Sequence, residues 1–123
     1  MDKNKIEILI PTFNEEKNIS LVLEELHKEG YKNITILDAN SSDLTVTIAK
    51  QFKCKIILDP PNLSGFGNSL MNGFKNLNSD FFCIFDGDNS FDPKSIDIMS
   101  NKINEGYDFV FASRYKNNEV SED

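Results

Sequence analysis

Short apolar runs alternate with polar segments along most of the chain. The runs are four or five residues long and rich in β-branched and aromatic side chains, which favours β-strands. Several are apolar at consecutive positions, as expected when both faces of a parallel sheet are covered. The predicted strands are Ile6–Ile10, Ile34–Leu37, Lys55–Leu58, Phe81–Phe85 and Phe109–Ala112.

Apolar residues between these strands recur at helical spacing. Asn14 is predicted to cap the first helix, Gly30 to end it, and Asp92 followed by Pro93 to begin the last one. The apolar positions are Ile19, Val22, Leu23 and Leu26, then Leu44, Ile48 and Phe52, then Phe66, Leu70, Phe74 and Leu77, then Ile96, Met99 and Ile103.

Alternating strands and helices predict an α/β fold with a Rossmann-like, doubly wound, mostly parallel sheet that has helices on both faces. In such sheets ligands bind beyond the carboxyl ends of the strands, near the point where the strand order reverses. We therefore expect the functional residues directly after the strands.

A chain of 123 residues is long enough for one domain, which we assign to residues 1–115, followed by a polar tail over residues 116–123. The net charge of −7 is spread along the chain, which argues against nucleic acid as a partner. Cys54 and Cys83 lie in apolar runs without a secretory signal before them, which favours buried thiols and a cytoplasmic location.

Asp86 and Asp88 follow the fourth predicted strand, with Gly87 between them to allow a sharp turn. Two carboxylates this close repel each other, and a hard divalent cation such as Mg²⁺ or Mn²⁺ removes the repulsion while it also binds diphosphate oxygens. The alternative is that the pair belongs to a turn before Asp92 and Pro93.

The segment after the second strand is rich in hydrogen-bonding groups. Asp38 and Asn40 are candidate contacts to a base or ribose, whereas Asp43 fits better at the start of the next helix. Gly65 and Gly67 open the third predicted helix, where their backbone either approaches phosphates or forms a flexible loop. A dinucleotide site is excluded, because the glycine-rich turn that it needs after the first strand is missing.

Five segments, taken in order, resemble family-2 glycosyltransferases, and most closely the polyprenyl-phosphate (dolichyl-phosphate) sugar transferases. They are residues 8–16, 36–45, 65–74, 85–93 and 108–115. The resemblance implies a GT-A fold, an inverting transfer and a UDP- or GDP-sugar donor. It also implies a metal that joins the Asp-x-Asp motif to the donor diphosphate.

On this resemblance, Asp38 meets the base, Asp86 and Asp88 face the metal and diphosphate, and Gly87 lies beside the nucleotide. Many relatives have a second acidic residue where Ala39 stands, and the polyprenyl branch has Gln at the position of Ser90. The residues expected to line the nucleoside are Pro11, Thr12, Phe13 and Glu15.

The resemblance further implies an acceptor half beyond residue 115 that supplies the general base in many branches, so we assign no catalytic residue. We expect this chain to bind the donor and to need a partner or a second copy for efficient transfer. The acceptor is expected to be a polyprenyl phosphate, a glycan or another molecule, and a lipid acceptor would place the protein at the cytoplasmic membrane face.

Two other functions stay open at this point. A haloacid-dehalogenase-like phosphatase also has an Asp-x-Asp motif after an apolar strand, but there the motif comes early in the chain. A non-catalytic nucleotide-binding module would keep the donor fold without transfer.

Overall fold

The computed structural model describes residues 2–60, 68, 71–73, 75, 79, 81–90 and 92–104. A 3₁₀ turn over Lys3–Lys5 precedes the first strand. The strands are β1 (Ile6–Thr12), β2 (Ile34–Asp38), β3 (Lys55–Leu58) and β4 (Phe81–Ile84), and the helices are α1 (Ile19–Lys28), α2 (Thr45–Gln51) and α3 (Lys94–Asn104).

The four strands form one parallel sheet in the order β3-β2-β1-β4. β1 lies between β2 and β4, so the strand order reverses beside β1. Thr12 pairs with Asp38 and Asp38 pairs with Leu58, which aligns the carboxyl ends of three strands. The predicted doubly wound α/β fold is confirmed.

Helices cover both faces of the sheet. Alternate residues of β1 and β2, beginning with Ile6 and Ile34, join the core formed with the apolar stripes of α1, Ala49 of α2 and Ile96 of α3. On the other face Leu37 is buried next to Gly73, which lies among helical residues 71–73. Burial on both sides explains why consecutive positions such as 8–10 in β1 and 36–37 in β2 are apolar.

The boundaries of α1 differ from the prediction at one end only. α1 begins at Ile19 instead of after Asn14, because the Asn14 side chain bonds to another loop and its backbone has a positive φ of 52°. The predicted end at Gly30 is confirmed: the amides of Gly30 and Tyr31 donate to the carbonyls of His27 and Leu26, at 3.0 and 2.9 Å.

Polar contacts attach α3 to the amino end of the sheet. The Tyr31 hydroxyl donates to Asp97 of α3, and the Lys3 ammonium lies 3.4 Å from the same carboxylate. Burial and the bond to Asp97 raise the pKa of Tyr31. The predicted start of α3 is also confirmed, because the Lys94 amide donates to the Asp92 carboxylate at 3.0 Å.

Cys54 and Cys83 are half-buried and form no disulfide. Burial raises the pKa of both thiols to about 11, so both are protonated near neutral pH. The predicted strand Phe109–Ala112 and the tail over residues 116–123 lie outside the described residues. No helix among the described residues is long and apolar enough to cross a membrane.

Replacing Gly30 tests how α1 ends. Its φ of 91° suits glycine, and an added Cβ would lie 3.2 Å from Cδ of Lys3. Gly30→Ala should lower the free energy of unfolding by about 1–2 kcal/mol, measured by urea denaturation. Gly30→Asn should cost less, because asparagine tolerates left-handed backbone better, and equal losses in both variants would contradict this explanation.

Candidate nucleotide-sugar site

The carboxyl ends of β1, β2 and β4 meet at one edge of the sheet. Backbone bonds continue past the strands: the Ala39 amide donates to the Thr12 carbonyl at 2.9 Å, and the Phe85 amide to the Leu9 carbonyl at 2.8 Å. The loops that carry the candidate residues therefore leave the sheet side by side. This edge includes the point where the strand order reverses, which is the usual ligand site in such sheets.

Gly87 packs directly against β1. A Cβ at this position would lie 3.3 Å from Cγ2 of both Ile10 and Thr12 and 3.7 Å from Cγ of Glu15. The predicted sharp turn does not explain why glycine stands here. The φ of Gly87 is not positive, so the turn does not require glycine. Glycine is needed for close approach, which brings Asp86 and Asp88 next to the end of β1.

Asp88 is exposed, and Asp86 is half-buried. The Asp88 carboxylate accepts the Ser90 amide at 3.0 Å, which turns the chain after the motif. Asn89 has a positive φ of 66°, and its Oδ1 is buried without a hydrogen-bond partner. A buried amide oxygen without a partner costs about 1–3 kcal/mol, so this loop offers one more oxygen for a ligand.

These oxygens fit a hard divalent cation. Mg²⁺ is usually held by one or two carboxylates, with waters and substrate phosphates in the remaining positions. The described residues contain no group of three or more His, Cys, Asp or Glu side chains that would form an all-protein cage. Asp86 and Asp88, with Asn89 beside them, therefore suit a metal that arrives with a diphosphate.

The loop after β1 is tied to the loop after β2 by its backbone amides. Three consecutive amide groups, those of residues 14–16, donate to side chains of the second loop. Their acceptors are Ser41 Oγ at 2.9 Å, Thr45 Oγ1 at 2.8 Å and Asp43 Oδ2 at 3.1 Å.

The second loop returns the same kind of bond. The Ser42 amide donates to Oδ1 of Asn14 at 2.9 Å, and the Leu44 amide donates to Oε2 of Glu16 at 3.1 Å. We call residues 13–16 and 39–45, with these bonds, the two-loop brace. Side chains of each loop accept hydrogen bonds from backbone amides of the other loop. The conformation of each loop therefore depends on the presence of the other.

Asp43 has the structural role that its position before α2 predicted. Its carboxylate accepts the Thr45 amide at 2.9 Å and the Thr45 hydroxyl at 2.5 Å. Desolvation acts to raise the pKa of Asp43, but the bonds from Thr45 and from the Glu16 amide outweigh it and lower the pKa. Asp43 is thus part of the brace.

Asp38 lies at the centre of this edge and is completely buried. Its Oδ1 accepts the hydroxyls of Thr12 at 2.8 Å and Ser41 at 2.6 Å, and its Oδ2 accepts the Ser41 amide at 2.8 Å. The expected contact between Asp38 and a base stays a prediction. The protein groups around the carboxylate already supply three donors.

Other candidate residues are placed around the same edge. Phe13 is 60% exposed, Asn40 is exposed, and Pro11 and Glu15 are half-buried. Asn40 has a positive φ of 61°, and Nδ2 of its side chain donates to the Asp59 carbonyl at 3.2 Å. The structure therefore brings all of the candidate residues that it describes to one edge, while Gly65 and Gly67 lie outside the described residues.

Sequence reasoning missed three contributors to this edge: Asn14 as a bridge, Ser41 and Asn89. Asn14, Asn40 and Asn89 all have positive φ, one in each loop after β1, β2 and β4. Asparagine tolerates that conformation better than most residues. An asparagine soon after each of three apolar strands was therefore the available signal.

The model of the glycosyl transferase family 2 matches residues 7–123. This chain belongs to glycosyl transferase family 2. Membership makes the dehalogenase-like phosphatase alternative wrong, and it confirms the resemblance stated from the five segments. The dolichyl-phosphate branch is also represented among the relatives.

Three relatives illustrate the similarity. An uncharacterized protein of Methanocaldococcus jannaschii is 36% identical over an alignment of 121 residues that covers 93% of this chain and 48% of that protein. The UDP-N-acetylglucosamine–dolichyl-phosphate N-acetylglucosaminyltransferase of Methanococcus voltae is 30% identical, over 91% of this chain and 53% of that enzyme. The chain spans about half the length of these two relatives.

Protein RfbJ of Shigella flexneri is 30% identical over 91% of this chain and 87% of its own length. Among solved structures, glucosyl-3-phosphoglycerate synthase of Mycobacterium tuberculosis, in complex with Mn²⁺, UDP and glucosyl-3-phosphoglycerate, superposes with a TM-score of 0.70 at 19% identity. The superposition covers 83% of this chain and 42% of the synthase. At this identity the likeness supports the fold.

Enlarging Gly87 tests the contact between the Asp-x-Asp loop and β1. Gly87→Val should lower the free energy of unfolding by about 1–3 kcal/mol, because its side chain must displace Ile10 or Thr12. Gly87→Ala should destabilise the protein less, because its Cβ requires Ile10 and Thr12 to shift by only a few tenths of an ångström. Thermal denaturation measures both, and a Gly87→Val variant as stable as the wild type would contradict the close packing.

Proposed function

We propose that this chain forms the donor-binding part of an inverting glycosyltransferase that takes a UDP- or GDP-sugar with Mg²⁺ or Mn²⁺. The observation that carries the proposal is the position of Asp86 and Asp88. Their loop packs on the end of β1 through Gly87, beside the exposed side chains of the loops after β1 and β2. A carboxylate pair and a set of groups for a nucleoside thus lie at one edge.

The proposed chemistry follows from charge. Transfer breaks the bond between the anomeric carbon and the diphosphate oxygen, so negative charge grows on the nucleoside diphosphate. A bound divalent cation supplies Lewis-acid stabilisation of that leaving group. Asp86 and Asp88 would hold the cation, with Asn89 Oδ1 as a further oxygen. The mycobacterial synthase was solved with Mn²⁺ and UDP, which supports this choice of ligand class.

The nucleoside is proposed to lie on the loops after β1 and β2. Phe13 presents an aromatic ring that is 60% exposed, which suits stacking on a base. Asn40 and Asn14 are exposed polar groups nearby in the same two loops. Pro11, Thr12, Glu15 and Asp38 support or border this surface.

The acceptor is proposed to be a polyprenyl phosphate. One relative is named as a dolichyl-phosphate N-acetylglucosaminyltransferase and another, from Pyrococcus furiosus, as a dolichol-phosphate mannosyltransferase. With a lipid acceptor, we propose that the reaction takes place at the cytoplasmic face of a membrane. A partner or a second copy of this chain is proposed to complete the acceptor side and to supply the general base.

The metal claim is tested by titration calorimetry of UDP and GDP, each with and without Mn²⁺. Binding should require Mn²⁺ and should weaken at least about tenfold in Asp86→Asn and Asp88→Asn, a loss that is typical even for outer-shell groups of metal sites. Glu24→Gln on α1 changes the net charge equally and is exposed away from this edge, so it should bind like the wild type.

Binding that ignores both Mn²⁺ and the two aspartates would contradict the donor site. A wild type that binds UDP with Mn²⁺ but transfers no sugar from it to a polyprenyl phosphate, even with a second protein present, would favour the non-catalytic alternative.

Phe13 offers a separate test of the nucleoside position. Phe13→Ala should weaken UDP binding by about 1–3 kcal/mol, the usual contribution of base–aromatic stacking, while Phe13→Tyr keeps the ring and should bind normally. Pyrophosphate has no base, so its Mn²⁺-dependent binding should be the same in all three proteins. Equal UDP affinity in Phe13→Ala and the wild type would place the base elsewhere.

A further inference from the structure

We infer that Asp38 is a positioning residue: it fixes the two-loop brace through Thr12 and Ser41 and so prepares the nucleoside surface. This inference rests on the proposed function and deepens it. It assigns Asp38 a role different from the direct base contact that the family resemblance implies.

The carboxylate of Asp38 has no access to solvent. Asp38 is 0% exposed, while Phe13 in the adjacent loop is 60% exposed. A buried acidic group is tolerated only when hydrogen bonds replace the water that it loses. Here Thr12 and Ser41 supply three such bonds. Because no surface of Asp38 is exposed, a base could reach the carboxylate only if the residues that cover it moved.

Hydrogen bonds connect Asp38 to the exposed loop after β1. The Ser41 hydroxyl donates to Asp38 Oδ1 at 2.6 Å, and Oγ of Ser41 accepts the backbone amide of Asn14 at 2.9 Å. Asn14 Oδ1 in turn accepts the Ser42 amide at 2.9 Å. The carboxylate therefore orients Ser41, and Ser41 holds the loop that carries Phe13 and Asn14.

The backbone conformation of the loop after β1 also depends on these bonds. Asn14 has a positive φ of 52°, a conformation that is uncommon for non-glycine residues, although asparagine tolerates it better than most. The bonds to Ser41 and Ser42 are the contacts that hold it. A loop fixed before the ligand arrives loses less conformational entropy on binding, which raises affinity without a direct contact.

The inference is tested with Asp38→Asn, Thr12→Val and Ser41→Ala. An amide has only one acceptor oxygen, so Asp38→Asn cannot keep all three bonds, whereas the other two variants each remove one hydroxyl. Glu7→Gln is the matched control. Glu7 is a buried acid on β1 that accepts the Thr35 hydroxyl at 2.8 Å, near the opposite end of the strand.

The first readout needs no ligand. Amide exchange of residues 14–16, measured by NMR on the free chain, should accelerate in Asp38→Asn and Ser41→Ala and stay unchanged in Glu7→Gln. Unfolding midpoints measured in parallel separate local opening from a general loss of stability. Exchange at wild-type rates in both Asp38→Asn and Ser41→Ala would overturn the inference.

The second readout is UDP affinity with Mn²⁺. Asp38→Asn and Ser41→Ala should each bind UDP about tenfold more weakly than the wild type. Thr12→Val should also bind UDP more weakly than the wild type. If Asp38→Asn alone loses affinity, Asp38 contacts the base and the inference is wrong. A wild type that binds no UDP would overturn the proposed function, while the exchange rates would still support or overturn the brace.

Discussion

The position of the candidate site depends on β1, which pairs in parallel with β2 on one side and β4 on the other. Because parallel strands end at the same edge, the loops that follow β1, β2 and β4 all leave the sheet at this edge. The apolar residues of β1 are buried on both faces, which fixes the strand and leaves Thr12 at its polar end. Close approach of Gly87 to Ile10 and Thr12 then brings the fourth strand's loop to the same point.

The brace between the first two loops has a chemical consequence. In dinucleotide-binding folds, the amides that follow the first strand are left open and bind phosphate at the helix N-terminus. Here the amides of residues 14–16 already donate to Ser41, Thr45 and Asp43. A donor diphosphate, as proposed above, would therefore have to be neutralised elsewhere. On the described part of the edge, Asp86 and Asp88 are the groups proposed to hold a cation that would do so.

The sequence predicted the sheet well because its signals are local. Apolar runs such as Lys55–Leu58 and the glycine that ends α1 act through their own neighbours. The predicted start of α1 was wrong because the Asn14 side chain accepts a hydrogen bond from the Ser42 amide, which lies 28 residues further along the chain. The predicted role of Gly87 in a sharp turn was also wrong. Gly87 is needed for close contact with β1, and the residues of the turn alone do not predict a contact with another strand. The candidate residues that the structure describes lie at one edge, as the predicted strand ends implied, but their bonds to each other depend on loops that meet only in the folded chain.

The central claim is that Asp86 and Asp88 hold a divalent cation next to the end of β1. Paramagnetic broadening of backbone amide signals by Mn²⁺, measured by NMR in the presence of UDP, reports which residues lie near the ion. The account predicts strong broadening for residues 86–90 and 12–15, and none for the end of α1 around Gly30. Broadening confined to other parts of the chain, or broadening that persists in an Asp86→Asn, Asp88→Asn double variant, would contradict it.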